Sequence, residues 1–433
     1  MNSRIEREKI IDNSRKHLDN LVCALRATKN HFLKTQKKEL QTQIAYSLKA
    51  KKIDSDRKQV DSKELTLEKY VSMCNLFNAY DNCVESSFLT KMIPGSIVVS
   101  AISTLDYYIF QLLHTLLDYD PNLWDSIDVK LPYKDLRDFG STADIREYYV
   151  STFIEALFFG SHDDLFDAIS KKFNLKSIKE LHGYKDFLFV TELRNIIVHH
   201  DAKISLKFKL NMEKYKINIK KYDFFDQNGY LALNPDNIKW VIDVCLSIAL
   251  QFYLKVCEHY SRKNAKISEK YTFNINSVCV DLILSGYSNA CCTVYDVLLT
   301  SKKYSENHYL YCINKALCLK KMGKRTEMEE FLDTITWIDC KEEYICAKHI
   351  LLDEYELAVE YMDKVDLLEW DCGYQDWPLC TSFVKSDVFK AKYESIYGHK
   401  YEKKTTKEKL NEEEVLKIIE DYEKEKNKQK KQI

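Results

Sequence analysis

Residues 96–117 read SIVVSAISTLDYYIFQLLHTLL, and this run decides the fold class. Wound into a helix, it carries apolar side chains on most of its faces, the pattern of a buried central helix. The rest of the chain agrees. Gly (9) and Pro (5) together make up about 3% of 433 residues, against a usual background of roughly 12%. Sheets joined by tight turns draw heavily on Gly, Asn-Gly and Pro, whereas helices need few of them. An all-α protein is expected, and the length suggests two or three domains.

Outward from this run, residues 4 to about 50 read as helix. Ile10, Ile11, Leu18, Leu21, Val22 and Leu25 follow the 3–4 spacing, with charges opposite. After the polar patch Lys52–Ser62, a second helical stretch runs from Glu64 to Leu89, and Pro94-Gly95 is expected to break the chain ahead of the central helix. Pro121 and Pro132 bracket a loop. Helical periodicity returns over Ile145–Phe159, Asp163–Phe173 and Tyr184–Val198. One stretch departs from it. Ile217–Ile219 and Tyr222–Phe225, then Asn228-Gly229, then Tyr230–Leu233 read as a small β-hairpin insertion. Asn234-Pro235-Asp236 then caps a long helix to about residue 261.

From about residue 275 the texture becomes a weak repeat. Residues 282–298, 318–335 and 350–365 each place an apolar helix end, a turn at Gly286, Gly323 or Asp353, and a second amphipathic helix. This is helix–turn–helix spacing of the tetratricopeptide kind, and a looser array or plain bundle gives the same pattern. The expected organisation is an N-terminal helical region (1–90), a central domain (91–262), helical repeats (270–370) and a charged helical tail (371–433). Asn411 and Glu414 form a capping box for the amphipathic helix of that tail.

Charge and cysteine usage narrow the function. There are 65 basic and 66 acidic side chains, a net charge of −1, which argues against a globally basic nucleic-acid binder while allowing a local basic face. The N-terminal residues carry no apolar segment of a signal peptide. The most apolar run, Trp240–Val256, still contains Asp243 and Lys255, so no membrane association is expected. The 14 cysteines include no C-x-x-C, and reduced thiols in a cytoplasmic protein are the consistent picture. Cys340, Cys346 and His349 form the tightest metal-like grouping, but helix packing explains them better; no metal and no cofactor are expected.

Phosphate-loop, dinucleotide, zinc-protease and nucleophile-elbow signatures are all absent. What remains is Thr191-Glu192-Leu193-Arg194-Asn195-Ile196-Ile197-Val198-His199-His200-Asp201. Asn195 and His199, four apart, share a helix face. Arg194 and His199 differ by about 140° and converge only near a helix end. An imidazole can exchange a proton near neutral pH, and a guanidinium can pair bidentately with phosphate. Together they suit attack of an RNA 2′-hydroxyl on its neighbouring phosphodiester. A cap-and-turn role for His-His-Asp fits the same residues. Just beyond, residues 203–221 hold seven lysines (203, 207, 209, 214, 216, 220, 221) and one Glu, with Phe208, Tyr215 and Tyr222 interleaved. This is a backbone-binding patch with rings for stacking, or equally a solvated face.

Arg194-Asn195-x-x-x-His199 resembles the R-x4-6-H motif of the HEPN superfamily, in the subtype with a polar residue after the Arg. The apolar helix with an embedded acid (Ser103-Thr104-Leu105-Asp106) and the motif near the end of a later helix agree, over about residues 91–262. The resemblance implies a HEPN-like helical bundle that dimerises, and a metal-independent endoribonuclease of toxin–antitoxin or abortive-infection type. Arg194 would then bind the phosphate, His199 act as general acid or base, and Asn195 orient them. Asp106 would hold the Arg, with His200 a spare imidazole. Lys203, Lys207, Lys209, Lys216 and Lys220 would contact RNA (a tRNA or a phage or host mRNA), and the repeats would carry a regulator or antitoxin. The competing expectation is a catalytically silent scaffold.

Overall fold

The computed structural model describes residues 4–58, 67–127, 139–175, 178–261, 265–300, 307–338, 340–365 and 373–403. Among them the chain is predominantly helical. Its helices are α1 (Arg4–Lys58), α2 (Leu67–Tyr119), α3 (Thr142–Leu157), α4 (His162–Lys172), α5 (Tyr184–His199), α6 (Leu206–Lys214) and α7 (Pro235–Ser261). They are followed by α8 (Ala265–Leu284), α9 (Ser288–Thr300), α10 (His308–Lys321), α11 (Arg325–Asp333), α12 (Glu342–Leu351), α13 (Tyr355–Glu360) and α14 (Asp387–Tyr397). Two compact units result, Met1–Glu330 and Phe331–Ile433.

The first unit is organised around α7. Every residue from 241 to 254 is buried, and α1, α2, α5 and α9 all pack on it. Helix α2 is less enclosed than its composition suggests. Ile97, Val98, Ala101, Ile102, Leu105, Tyr108, Ile109, Leu112 and Leu113 are buried, but Ser96, Ser100, Ser103 and Tyr107 follow one another at spacings of three and four along an exposed edge. Both α2 and α7 contain stretches long and apolar enough to cross a membrane, yet 50% and 89% of those stretches are buried by protein. Burial by neighbouring helices accounts for the composition of α7.

Helix α1 lies along α2. Its stripe of Ile10, Ile11, Leu18, Leu21, Val22 and Leu25 is buried, and His17 Nε2 meets Thr115 Oγ1 at 3.0 Å. The break expected at Pro94-Gly95 does not occur, because α2 continues through both residues. A mid-helix Pro loses one backbone hydrogen bond and crowds the preceding turn; here Pro94 is itself buried. Gly95 faces the Ile197 side chain of α5. A Cβ there would sit 3.3 Å from Ile197 Cγ2.

The segment read as a hairpin is also different. Residues 206–214 form α6, Ile219–Lys221 a turn of 3-10 helix, and pairing is reduced to two isolated antiparallel bridges, Lys203 with Tyr230 and Phe225 with Leu231. The Asn228-Gly229 turn does form, with Gly229 at φ 77° and Gly229 N–H donating to Asp226 O. Extended ladders fail because the rings go elsewhere. Tyr222 stacks on Phe189 at 3.9 Å, and Phe224 and Trp240 pack edge-on around them. This cluster fastens the segment to α5 and α7. Reciprocal bonds between Asn234 and Asn237 start α7, as the cap residues indicate.

Gly286, Gly323 and Asp353 all adopt positive φ at the turns between α8 and α9, α10 and α11, and α12 and α13. Helix α9 packs on α10 in the first unit, and α12 on α13 in the second. The capping box at Asn411 and Glu414 lies outside the described residues.

Candidate functional site

Helix α5 is anchored at its start. There the Gln251 side chain of α7 grips the chain, accepting from His182 N–H (2.8 Å) and donating to His182 O (2.9 Å). Gly183 then turns left-handed as the helix begins. Helix α4 is tied alongside. Tyr184 O–H donates to Asp163 Oδ1 (2.8 Å), and Lys179 bridges Asp163 (2.9 Å) and Asp167 (2.8 Å). Burial, reinforced by the Asp163 carboxylate, pushes the Tyr184 phenol well up, so it stays a donor. Ser161 and Asp164 cap α4 reciprocally, and the Ser161 hydroxyl and N–H hold the Asp164 carboxyl below its usual range.

Between α2, α4 and α5 lies a cleft of about 190 Å³ whose walls include Asp106, Ser161, His162, Glu192, Arg194, Asn195 and Tyr215. Arg194 and Asn195 are half-buried, and Arg194 Nη1 donates to Asn195 Oδ1 at 3.3 Å. Opposite partners come from distant sequence: His162 Nε2 is 2.9 Å from Asp106 Oδ1. The imidazole is fixed edge-on against Phe187, with ring centres 5.5 Å apart and planes at 89°. Glu192, nearly fully buried, adds a carboxylate. Tyr215, at the C-terminal end of α6, closes the cleft, its phenol raised by burial.

Three of the sequence-derived residues therefore share one cleft: Asp106, Arg194 and Asn195. His199 and His200 do not line it. Both are exposed, His199 as the last residue of α5 and His200 as its cap, whose N–H donates to Ile196 O. Asp201 and Ala202 follow at φ 49° and 53°, reversing the chain sharply.

The lysines expected to meet RNA are exposed. Lys203 lies over the Tyr230 ring (4.8 Å), Lys207 and Lys209 stand on α6, and Lys216 and Lys220 lie in the following turns. Two of the three interleaved rings are spent on packing, while Tyr215 lines the cleft. Phe208 is buried against Phe189, and Tyr222 is stacked and donates its hydroxyl to Asp186. Exposed rings occur on the other side of the cleft. Tyr107, Phe110, Phe158 and Phe159 line an open apolar groove of about 520 Å³ that shares Asp106 and Phe158 with the cleft. Phe159 is 88% exposed and Tyr107 64%.

Cys340, Cys346 and His349 do not converge. Cys346 points its thiol at Ala358 O, Cys340 at Lys341 O, and His349 pairs with Glu354 at 2.8 Å. Among the described residues no three His, Cys, Asp or Glu side chains form a metal-holding group.

His162 and Glu192 escaped the sequence reading. Ser161-x-x-Asp164 signals that a helix starts at His162, but nothing in the spacing pairs that imidazole with an acid 56 residues earlier. No protein-family model, curated protein or solved structure matches the chain.

Proposed function

We propose that this chain is an HEPN-like endoribonuclease cleaving RNA by attack of a 2′-hydroxyl on the adjacent phosphodiester, without a metal, and leaving a 2′,3′-cyclic phosphate and a 5′-hydroxyl. The observation that carries the reading is the shared cleft. Arg194 and Asn195 of the motif line it together with Asp106 and an imidazole hydrogen-bonded to it. A guanidinium in a partly enclosed site suits the charge that develops on the phosphoryl oxygens. A carboxylate-held imidazole suits the proton transfer. The lysines of residues 203–221 supply cations for the RNA backbone, and the Tyr107–Phe159 groove offers faces for unstacked bases.

In this reading the protein acts in the cytoplasm as a defence or toxin effector. Two copies meet through the HEPN-like region, and the C-terminal helix pairs receive a regulator or antitoxin. A scaffold that has lost activity is the second reading, favoured by the exposed position of His199 outside the cleft. Incubation of purified protein with total RNA in EDTA separates them. Cutting that disappears in Arg194→Ala supports the nuclease; no cutting by the wild type, with partner binding intact, supports the scaffold.

A further inference from the structure

We infer that His162, oriented by Asp106, is the catalytic imidazole that takes the proton from the attacking 2′-hydroxyl. The inference rests on the ribonuclease reading and departs from the motif, which points to His199. Three observations lead to it. His162 lines the cleft that holds Arg194 and Asn195, whereas His199 is exposed at the end of α5 and does not. The ring is fixed twice, by Asp106 at 2.9 Å and by the edge-on Phe187 face. Its side chain keeps 20% of its surface accessible, enough to meet a bound group without being free to swing.

The protonation chemistry follows from the pairing. A carboxylate bound at Nε2 selects the tautomer with the proton on that nitrogen, leaving the Nδ1 lone pair as the base. As the imidazole becomes charged, the same carboxylate stabilises it, the role an Asp plays behind a catalytic His. In the reaction, the 2′-oxygen gives its proton to His162 Nδ1 and forms the bond to phosphorus. The bond from phosphorus to the 5′-oxygen breaks, and that oxygen takes a proton from water. His162 later returns its proton to solvent, so the cycle balances. Arg194 faces the phosphoryl oxygens, and Asp106 is a positioning residue that does not touch RNA.

His162 is the first residue of α4. The polar and ionisable groups that line the cleft with it are Asp106 on α2, Ser161 ahead of α4, Glu192, Arg194 and Asn195 on α5, and Tyr215 at the end of α6.

The test is the pH profile of single-turnover RNA cleavage in EDTA for wild type, His162→Gln, Asp106→Asn and His199→Ala, with RNA affinity and melting measured alongside. The expected result for His162→Gln is a rate loss of at least about a hundredfold. Its affinity and melting should stay near wild type, and the acid limb of the profile should be lost. Asp106→Asn should lower the rate and move that limb, and His199→Ala should keep the limb. Should His162→Gln prove unstable, His162→Gly with added imidazole replaces it, and recovery of cutting is expected. Wild-type cutting that persists in His162→Gln, fails to recover with imidazole in His162→Gly, or loses its acid limb only in His199→Ala overturns the assignment while leaving the nuclease intact. A wild type that cuts no RNA overturns the nuclease reading and this assignment with it.

Discussion

His162 Nε2 lies 2.9 Å from Asp106 Oδ1, joining the first residue of α4 to the C-terminal part of α2 across 56 residues of sequence. The contact places an ionisable pair on the wall of the Arg194 cleft. It also marks where the polar edge of α2 ends and the exposed aromatic groove begins.

That groove makes the first prediction. Phe159 and Tyr107 project into solvent and support little packing, so Phe159→Ala and Tyr107→Ala should leave the melting temperature unchanged. If bases stack there, removing either ring weakens binding of single-stranded RNA by roughly 1–3 kcal/mol. Fluorescence anisotropy with a short oligoribonucleotide measures it. Unaltered affinity in both variants removes the groove from the binding surface.

The lysines give a different signature. Replacing Lys207, Lys209, Lys216 and Lys220 with Gln removes exposed charge without disturbing packing. The slope of log Kd against log salt for single-stranded RNA should fall by roughly 0.7 for each phosphate that is no longer neutralised. A slope equal to wild type means that RNA runs elsewhere.

A pH-dependent contribution to stability comes from Asp243 on α7. Burial raises its carboxyl from 3.8 to about 6, against the partly compensating Ala290 N–H, Asn289, Lys239 and Lys29. The folded chain then holds this proton more tightly than the unfolded chain. Its contribution is full below about pH 4 and is lost as pH rises through about 6. A carboxyl held that far above its ordinary value corresponds to roughly 3 kcal/mol. Asp243→Asn still accepts from Ala290 N–H, 3.1 Å away in the native chain. Urea unfolding at pH 4, 5, 6 and 7 should show a decline in the wild type that is reduced by that amount in the variant.

The turn after α5 stores strain that can be released. Ala202 sits at φ 53° with its carbonyl accepting from Leu231 N–H. The left-handed region costs a non-glycine residue about 1–2 kcal/mol, partly offset by the extra freedom glycine has when unfolded. Ala202→Gly should therefore raise the urea midpoint by the equivalent of about 0.5–1 kcal/mol, and Ala202→Val should lower it.

Much of this was legible in the sequence. Gly and Pro scarcity gave the helical class, helical periodicity placed α3, α4 and α5 within a few residues, and the Asn234-Pro235-Asp236 cap placed α7. Local rules failed where tertiary packing outweighed them. Pro94 lies buried within a helix despite its missing N–H, and the rings of residues 222–225 prefer Phe189 and Trp240 to a strand partner. The site was half legible. Arg194 and Asn195 stood out as a polar pair in an apolar helix. His162 did not, because its significance comes from meeting Asp106 through the fold, and spacing along the chain carries no trace of that.

The most direct measurement of the account uses an oligodeoxynucleotide containing a single ribonucleotide, incubated with the protein in EDTA and resolved by mass spectrometry. Cleavage only on the 3′ side of that ribonucleotide, yielding a 2′,3′-cyclic phosphate and a 5′-hydroxyl and abolished by Arg194→Ala, is the predicted result. Scission of the all-deoxy control, a 5′-phosphate product, or equal cutting by Arg194→Ala contradicts it.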